Sequence, residues 1–220
     1  MQDILETIFC GRLQPFSDDA RLTGIFKKPV SQKVFVSLLG LDCDSQADLK
    51  NHGGPEKAVH QFSRKNYSVL AGLFPEISAP FSTGSLGENL SSENFHESTI
   101  CIGDVVRVGG CTLQVSQPRT LCWKVDKKFS SDGLAQSMQT RGLTGWYYRV
   151  LQEGHIKPGD TMSILDRPND FLPLSVFLQT WQAHRPDPDQ LWKIAQAPGL
   201  SQAWQQRLHK RIDWLKNQQA

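Results

Sequence analysis

The pattern of apolar and polar positions divides the chain into two parts. Up to about residue 165, β-branched and aromatic residues form short runs separated by Gly, Pro, Asp and Asn, which is typical of strands. Beyond the turn-rich segment Asp166–Asp170, apolar residues recur with a helical period. We therefore predict a mainly β fold: a β-barrel with a few short helices over residues 1–168 and a small C-terminal three-helix unit over residues 169–220.

Several runs in the first part have the composition and length of strands. They are Lys33–Leu39, Ala58–Phe62, Thr99–Val108, Thr112–Ser116, Gly145–Leu151 and Thr161–Leu165. The pair Gly109-Gly110 separates two such runs and predicts a two-residue hairpin turn, in which both glycines need positive φ. One short helix is expected over Asp132–Thr140, where Asp132 can cap the free N–H groups of the first turn.

The second part predicts three helices. The first covers about Ser175–His184, and the second follows Asp187-Pro188, a capping residue and a proline at the first helical position. The second helix ends at Pro198-Gly199, and the third begins after a Ser201 cap. One stripe of the third helix is apolar: Trp204, Leu208, Ile212 and Leu215. We expect these helices to form a compact bundle or to cover the barrel, lining a substrate entrance or a homodimer contact.

Charge and hydropathy exclude two classes of partner. The chain has 24 Lys and Arg against 22 Asp and Glu, spread along its length, so it has no basic stripe for nucleic acid. The N-terminus carries Asp3 and Glu6 where a signal peptide has basic residues. The apolar runs are much shorter than the roughly 20 residues that cross a bilayer. We therefore expect a soluble, cytoplasmic protein that binds neither nucleic acid nor membrane.

The five cysteines are odd in number and widely spaced, with no C-x-x-C pair. This spacing argues against a disulfide framework and a structural zinc site, and favours a reducing compartment. Cys101 and Cys111 lie in apolar, strand-like runs, so we interpret them as small buried hydrophobic residues.

Two glycine-containing motifs have the residue types of a ligand site. In Lys50-Asn51-His52-Gly53-Gly54-Pro55, paired glycines allow close approach of the backbone, and Lys50 and His52 add donors that suit a phosphate. A tight turn before a strand explains the same motif equally well, and His60 in that strand is more often a satisfied core histidine. Gly87-Glu88-Asn89-Leu90 is weaker, because Asn89 can bind a flat heterocycle or simply form a turn.

The most informative segment is Ser116–Lys124, which follows directly on a predicted strand. Pro118 removes a ladder donor and should end that strand, so Cys122 is expected on a loop at the rim of the sheet. Nearby cations favour a thiolate at Cys122: Arg119, Lys124, Lys127 and Lys128. This cysteine is therefore the best candidate to bind a soft metal or to attack an electrophile.

Taken in order, these motifs resemble the MOSC domain, named after the C-terminal domain of molybdenum cofactor sulfurase, and in particular its YiiM-type stand-alone members. The resemblance covers nearly the whole chain. Its residues are Lys50-x-x-His52-Gly53-Gly54, Gly87-Glu88-Asn89-Leu90, Ile102-Gly103-Asp104, Ser116-Gln117-Pro118-Arg119 with Cys122, Gly145-Trp146-Tyr147, and Gly154-x-Ile156-x-x-Gly159-Asp160. The C-terminal three-helix unit also looks like that of YiiM-type members.

The resemblance implies a MOSC-type β-barrel that binds molybdenum cofactor (Mo-molybdopterin), with Cys122 as the protein ligand to the metal. The cofactor-binding positions would be Lys50, His52, Gly53, Gly54, Asn89, Ser116, Gln117, Arg119 and Lys124. Two departures stand out. Leu121 replaces the proline that usually precedes the metal-binding cysteine, and Cys43 stands where related sequences usually have glycine. We interpret Cys43 as incidental, although it could approach the site as a second thiol.

The implied activity is the reduction of N-hydroxylated compounds, such as hydroxylaminopurines and amidoximes. Oxygen-atom transfer to the metal would need a proton donor, for which His52 and His60 are candidates, and an external electron-donor reductase, because the chain has no flavin or iron–sulfur motif. One alternative is a carrier that holds sulfur or cofactor on Cys122 without turnover. Another is a thiol hydrolase or transferase that pairs Cys122 with His52 and Asn89.

Overall fold

The computed structural model describes residues 1–17, 19–48 and 53–218. The strands are β1 Gln2–Ile4, β2 Thr7–Cys10, β3 Gln14–Phe16, β4 Asp19–Thr23, β5 Lys28–Val30, β6 Val34–Ser37, β7 Gly40–Leu41, β8 Val59–Ser63, β9 Leu90–Ser92, β10 Val105–Val108, β11 Cys111–Pro118, β12 Trp146–Gln152, β13 Gly154–Ile156 and β14 Thr161–Asp166. The α-helices are α1 Arg64–Leu73, α2 Trp123–Phe129, α3 Leu134–Thr140, α4 Leu174–Gln182, α5 Pro188–Ala195 and α6 Gln202–Asn217. A 3₁₀ turn spans Pro55–Lys57.

Nine strands form one curled sheet in the order β1-β14-β10-β11-β12-β8-β9-β2-β5. The sheet is a half-barrel, which confirms the predicted fold class, and small sheets of β13-β6-β7 and β3-β4 flank it. The register of β11 against β12 shifts at two places, between Thr112 and Leu113 and between Val115 and Gln117. Such bulges bend a strand and increase its twist, so they help the sheet to curl.

The pairing of β8 with β9 is parallel, unlike the other pairings in this sheet within the described residues. Two parallel neighbours need a long crossover connection, and here the crossover contains α1. Tyr67 and Leu70 of α1 are buried in a second apolar cluster with Phe62 of β8 and Phe129 of α2. The sequence pattern did not indicate α1, because the helix is only partly apolar and its position follows from the crossover.

The predicted hairpin is confirmed, since Val108 pairs with Cys111 across Gly109-Gly110. Only Gly109 has positive φ (53°), which is the requirement of a type II′ turn, so the expectation for both glycines is wrong. The predicted strand Thr99–Val108 is also too long, because it begins at Val105. The residues before it form a turn in which the Asp104 carboxylate accepts a hydrogen bond from the backbone N–H of Cys101 (2.9 Å).

The short predicted helix is present as α3, but its cap is different. Gly133 occupies the N-cap with φ 80° and no side-chain cap bond. Asp126 of α2 accepts the hydrogen bond of Ala135 N–H instead, at 2.6 Å. Asp132 therefore does not have the predicted role, and a side chain of α2 ties α2 and α3 together.

The three C-terminal helices are confirmed as α4, α5 and α6. Asp187 caps α5 by accepting from Asp189 N–H at 2.9 Å, as predicted, whereas Ser201 makes no side-chain cap bond. The predicted stripe of α6 is buried and belongs to the same apolar cluster as the barrel strands. The division into two units at residue 168 stays a prediction.

Hydrogen bonds from the backbone and from one side chain hold the start of α6 against the barrel. The backbone N–H of Ser201 donates to the carbonyl oxygen of Ser116 in β11 (2.9 Å). Asn169 donates from Nδ2 to the carbonyl oxygens of Ile102 and Pro198, each at 2.8 Å. These bonds link the barrel to the loop before α6, so the start of α6 lies next to the end of β11. No helix in the described ranges has the length and hydropathy needed to cross a membrane.

Cys10 of β2 and Cys43 form a disulfide, with their Cα atoms 5.6 Å apart. The cysteine spacing did not predict this pair, and the interpretation of Cys43 as incidental is wrong. The two residues are 33 positions apart and meet only because the loop after β7 folds back onto β2. Cys101 and Cys111 are buried, as expected.

Candidate functional site

Cys122 lies on the loop between the end of β11 at Pro118 and the start of α2 at Trp123. Its side chain is half-buried and outside any disulfide. The two buried thiols differ, because burial raises the pKa of Cys101 to about 11 and that of Cys111 to about 12. Cys122 is therefore the cysteine that a ligand can reach, at the rim of the sheet where the sequence pattern placed it.

A cleft, here called the basic cleft, opens beside Cys122. Its described lining residues are Thr23, Gly24, Ile25, Lys27, Ser45, Gln46, Ala47, Lys57, His60, Gly87, Asn89, Arg119, Cys122, Lys124 and Tyr147. Four of these side chains are cationic and none is acidic. The basic cleft is therefore suited to an anion.

Lys27 and Asn89 are held in the basic cleft by one carboxylate behind it. Asp44 forms an ion pair with Lys27 Nζ, and it accepts a hydrogen bond from Asn89 Nδ2 (2.8 Å). Asn89 Oδ1 in turn accepts from the backbone N–H of His60 (3.1 Å). Burial lowers the pKa of Lys27, against the opposing effect of Asp44. The Asn89 amide thus connects the Asp44 carboxylate to the backbone of His60 at the floor of the cleft. These hydrogen bonds stabilise the fold.

His60 is buried in β8 beside Arg119. The Arg119 Nη1 atom lies 3.4 Å from His60 Nε2 and donates to the carbonyl oxygen of Leu86 at 2.7 Å. Burial, followed by the charges of Arg119 and Lys27, lowers the pKa of His60 well below its usual value. The imidazole is therefore neutral near pH 7, and this environment does not support the predicted role of His60 as a proton donor.

A second cleft, here called the helix cleft, also opens beside Cys122. It lies between the Cys122 loop and the first turns of α6. Its described lining residues are Asp48, Lys57, Gln117, Thr120, Leu121, Cys122, Trp123, Tyr147, Ala203, Trp204 and Arg207. Lys57, Cys122 and Tyr147 line both clefts. The Cys122 thiol is therefore at the junction of a basic cleft and a more aromatic one.

The structure brings together some of the predicted site residues. His60, Asn89, Arg119, Cys122 and Lys124 line the basic cleft. Gln117 lines the helix cleft instead.

The remaining predicted residues lie elsewhere. Lys50 and His52 are outside the described residues. Gly53 and Gly54 precede the 3₁₀ turn and line neither cleft; Gly54 has φ 89° at its N-cap. Ser116 is buried, with its hydroxyl 2.5 Å and 3.0 Å from the carbonyl oxygens of Glu56 and Tyr147.

Two of the cations predicted around Cys122 face other groups. Lys127 lies 5.3 Å from the ring centre of Phe16. Lys128 donates to the carbonyl oxygen of Ile25 at 3.3 Å, and burial lowers its pKa to about 8. The four cations of the basic cleft therefore have two origins: Arg119 and Lys124 flank Cys122 in the sequence, and Lys27 and Lys57 come from distant parts of the chain.

Comparison with known proteins identifies the family. Residues 48–163 match the model of the MOSC domain. The chain is also 34% identical over 205 residues to the protein YiiM of Escherichia coli (strain K12), covering 93% of this chain and 90% of that protein. This chain belongs to the MOSC family.

Two further relatives agree with the assignment. The crystal structure of YiiM from Geobacillus stearothermophilus superposes on this MOSC protein with a TM-score of 0.80 and 28% identity, covering 96% of this chain and all of that one (100%). A protein of Gibberella moniliformis (strain M3125 / FGSC 7600) named "Reductase" is 34% identical over 167 residues. The match covers 75% of this chain but 30% of that protein.

Sequence reasoning missed three site residues of this MOSC protein. Lys27 follows a loop that contains no motif. Lys57 was not singled out, because only the Gly-Gly-Pro turn before it was interpreted as a binding motif. Tyr147 was named only as part of the Gly145-Trp146-Tyr147 motif and not as a site residue, yet it lines both clefts. One signal was available for Tyr147: alternation along β12 places it on the opposite face from Trp146 and Tyr148. No local signal identified either lysine.

Proposed function

We propose that this MOSC protein is a molybdenum-cofactor-dependent reductase of N-hydroxylated compounds, with Cys122 as the protein ligand to molybdenum. One observation carries the proposal. The accessible cysteine lies where a cation-lined cleft meets a second cleft. A cofactor in the first and a substrate in the second would then meet at the Cys122 sulfur.

The residues of the basic cleft fit the chemistry of molybdopterin. The group carries a phosphate and a dithiolene, and Lys57, Arg119 and Lys124 supply positive charge to the lining, whereas Lys27 is ion-paired with Asp44 behind it. A soft thiolate is the ligand type that suits molybdenum. No cluster of three or more His, Cys, Asp or Glu side chains suited to a metal was found in the described residues. The protein's share of the coordination would then be the single Cys122 sulfur.

When bound, the cofactor supplies the two-electron chemistry that breaks an N–O bond. The chain's residues would bind and orient the reactants and handle protons. Lys57 and Tyr147 line both clefts beside Cys122, and each carries a titratable proton. Burial lowers the pKa of Lys57, and the charge of Arg207 lowers it further. Lys57 is thus the better placed of the two to supply a proton to the nitrogen that leaves oxygen. Electrons would come from an external reductase.

The proposal is tested by expressing the wild type, Cys122→Ala and Cys101→Ala in a cofactor-competent host. We expect bound molybdenum and turnover of 6-hydroxylaminopurine in the wild type and in Cys101→Ala, which loses a buried thiol. Cys122→Ala should lose both. Equal molybdenum in all three proteins would overturn the role of Cys122. A sulfane-sulfur adduct on Cys122 without molybdenum would identify the carrier function instead, and activity retained in a cofactor-deficient host would identify a thiol enzyme.

A further inference from the structure

One side of the basic cleft is formed by a short segment after β7 that contains half of the disulfide. This segment, residues 42–48, forms neither helix nor strand, and we call it the cleft wall. It includes Cys43, which is bonded to Cys10 of β2. Three residues of the cleft wall line the basic cleft: Ser45, Gln46 and Ala47. Because the segment has no regular secondary structure, its position depends on side-chain contacts and on the disulfide.

The disulfide and a hydrogen bond join the cleft wall to the same place on the barrel. The Cα atoms of Cys10 and Cys43 are 5.6 Å apart, within the usual range of a disulfide. The next residue on each side is also bonded, because the backbone N–H of Gly11 donates to Asp44 Oδ1 (2.9 Å). Asp44 is the carboxylate that holds Lys27 in the basic cleft. The covalent bond therefore positions a neighbouring group that orders the lining of the cleft.

The cleft wall has open space on more than one side. Asp42, Asp44 and Gln46 border a further cavity beside the β6–β7 hairpin, and Gln46 lines the basic cleft as well. A segment that is packed in this way opens locally at a low cost in free energy. When the disulfide is broken, the polar contacts of Asp44 still hold the segment, but water replaces such contacts readily on opening. Breaking the disulfide should therefore make opening more frequent.

We infer that Cys10 and Cys43 are a reversible dithiol/disulfide pair, and that the disulfide holds the cleft wall closed and slows the release of cofactor from the basic cleft. Cys10 is buried and Cys43 is half-buried, so an external thiolate reaches the bond from the Cys43 side. A disulfide with an accessible side is the kind that exchanges with other thiols. The inference rests on the proposed function for the identity of the ligand, whereas the change in the cleft wall is independent of it.

The exchange needs an external dithiol as the reductant. Its thiolate attacks the Cys43 sulfur, and the Cys10 sulfur leaves as a thiolate and takes up a proton. The second thiol of the reductant then attacks the mixed disulfide, so that the Cys43 thiol is released and the reductant becomes a disulfide. Two electrons and two protons thereby pass from the reductant to the cysteine pair. The reverse exchange with an oxidised dithiol restores the bond.

The experiment compares the protein with and without the disulfide. Cys43→Ser removes the disulfide at nearly constant volume, and Cys101→Ala, which loses a buried thiol outside the pair, is the matched control. The wild type is measured as the oxidised protein and after treatment with dithiothreitol. Because dithiothreitol also binds metals, Cys43→Ser repeats the comparison without a reductant. The first readout is the molybdenum that stays bound to the holoenzyme through timed gel filtration.

The second readout is hydrogen exchange, which needs no cofactor. The amides of Asp42 and Asp44 donate to the carbonyl oxygens of Phe35 and Leu41, at 3.1 Å and 3.0 Å. Their exchange therefore reports the opening of the cleft wall. The paired strands β10 and β11 serve as the internal reference, since equal exchange there shows that the barrel is intact in each variant.

We expect the amides of the cleft wall to exchange at least about tenfold faster in Cys43→Ser and in the reduced wild type than in the oxidised wild type and Cys101→Ala. Molybdenum release should be at least about tenfold faster in the same two samples. Equal exchange of the cleft wall in Cys43→Ser and Cys101→Ala would overturn the inference. So would faster exchange with unchanged release of molybdenum, because the cleft wall would then open without affecting the ligand.

The failure of the proposed function has a different signature. If the wild type carries no molybdenum, the proposed function fails together with the part of the inference that concerns the cofactor. Hydrogen exchange in Cys43→Ser and Cys101→Ala then still decides whether the disulfide holds the cleft wall closed.

Discussion

Acid should destabilise this protein through one buried histidine. His60 lies in β8 among the positive charges of Arg119 and Lys27, and burial lowers its pKa well below the usual value of 6.5. In the unfolded chain the imidazole is free to take a proton near pH 6.5, whereas in the folded protein it stays neutral. The unfolded state therefore binds more protons below that pH. The contribution of His60 to stability is intact above pH 6.5 and is lost as the pH falls from there toward the folded pKa.

The size of the effect depends only on the pKa of His60 in the unfolded chain, provided that the His60 imidazole stays neutral in the folded protein. Lowering the pH from about 7.5 to about 5.5 then reduces the free energy of unfolding by at most about 1.4 kcal/mol through this one group. That is a large share of the roughly 5–15 kcal/mol that holds a domain folded. Other titrating groups add their own pH dependence, so a comparison of variants is needed to isolate His60.

The assay is guanidinium unfolding of the wild type and of His60→Gln at both pH values. His60→Gln lacks the titrating ring, so the stability difference between it and the wild type should shift by about 1.4 kcal/mol in favour of the variant at the lower pH. His184→Gln removes an exposed imidazole after α4 and controls for the loss of one histidine. A difference between His60→Gln and the wild type that is the same at both pH values would refute the reasoning about His60.

Two further predictions concern packing and thiols. Gly103→Ala should be less stable than Gly133→Ala by roughly 1–3 kcal/mol in guanidinium melts: both residues have positive φ, but an added Cβ meets the loop before α6 only at Gly103. Equal losses would show that this contact is not tight. Under native conditions iodoacetamide should label Cys122 before the buried thiols. In the denatured protein, mass spectrometry should count two more labelled thiols after reduction than before it, those of Cys10 and Cys43. Five labelled thiols without reduction would contradict the disulfide. By closing its loop, the disulfide should add roughly 3–4 kcal/mol to the free energy of unfolding.

The amino-acid sequence by itself determined the features that depend on neighbouring residues. The Gly109-Gly110 hairpin, the proline that ends β11 and the three C-terminal helices all follow from turn chemistry and periodicity, and the structure has each of them. The position of Cys122 on a rim loop belongs to this group, because Pro118 acts only four residues away. Local signals of this kind survive folding unchanged, since the groups involved are already adjacent in the chain.

The tertiary structure alone decided the composition of the site. Lys27, Lys57 and Arg119 converge on the basic cleft from three separate segments, and α6 supplies a wall of the helix cleft from near the end of the chain. The state of His60 depends on burial and on charges that come from other strands and loops. Desolvation and long-range charge are properties of the folded surroundings, so no pattern within a short window of sequence can report them.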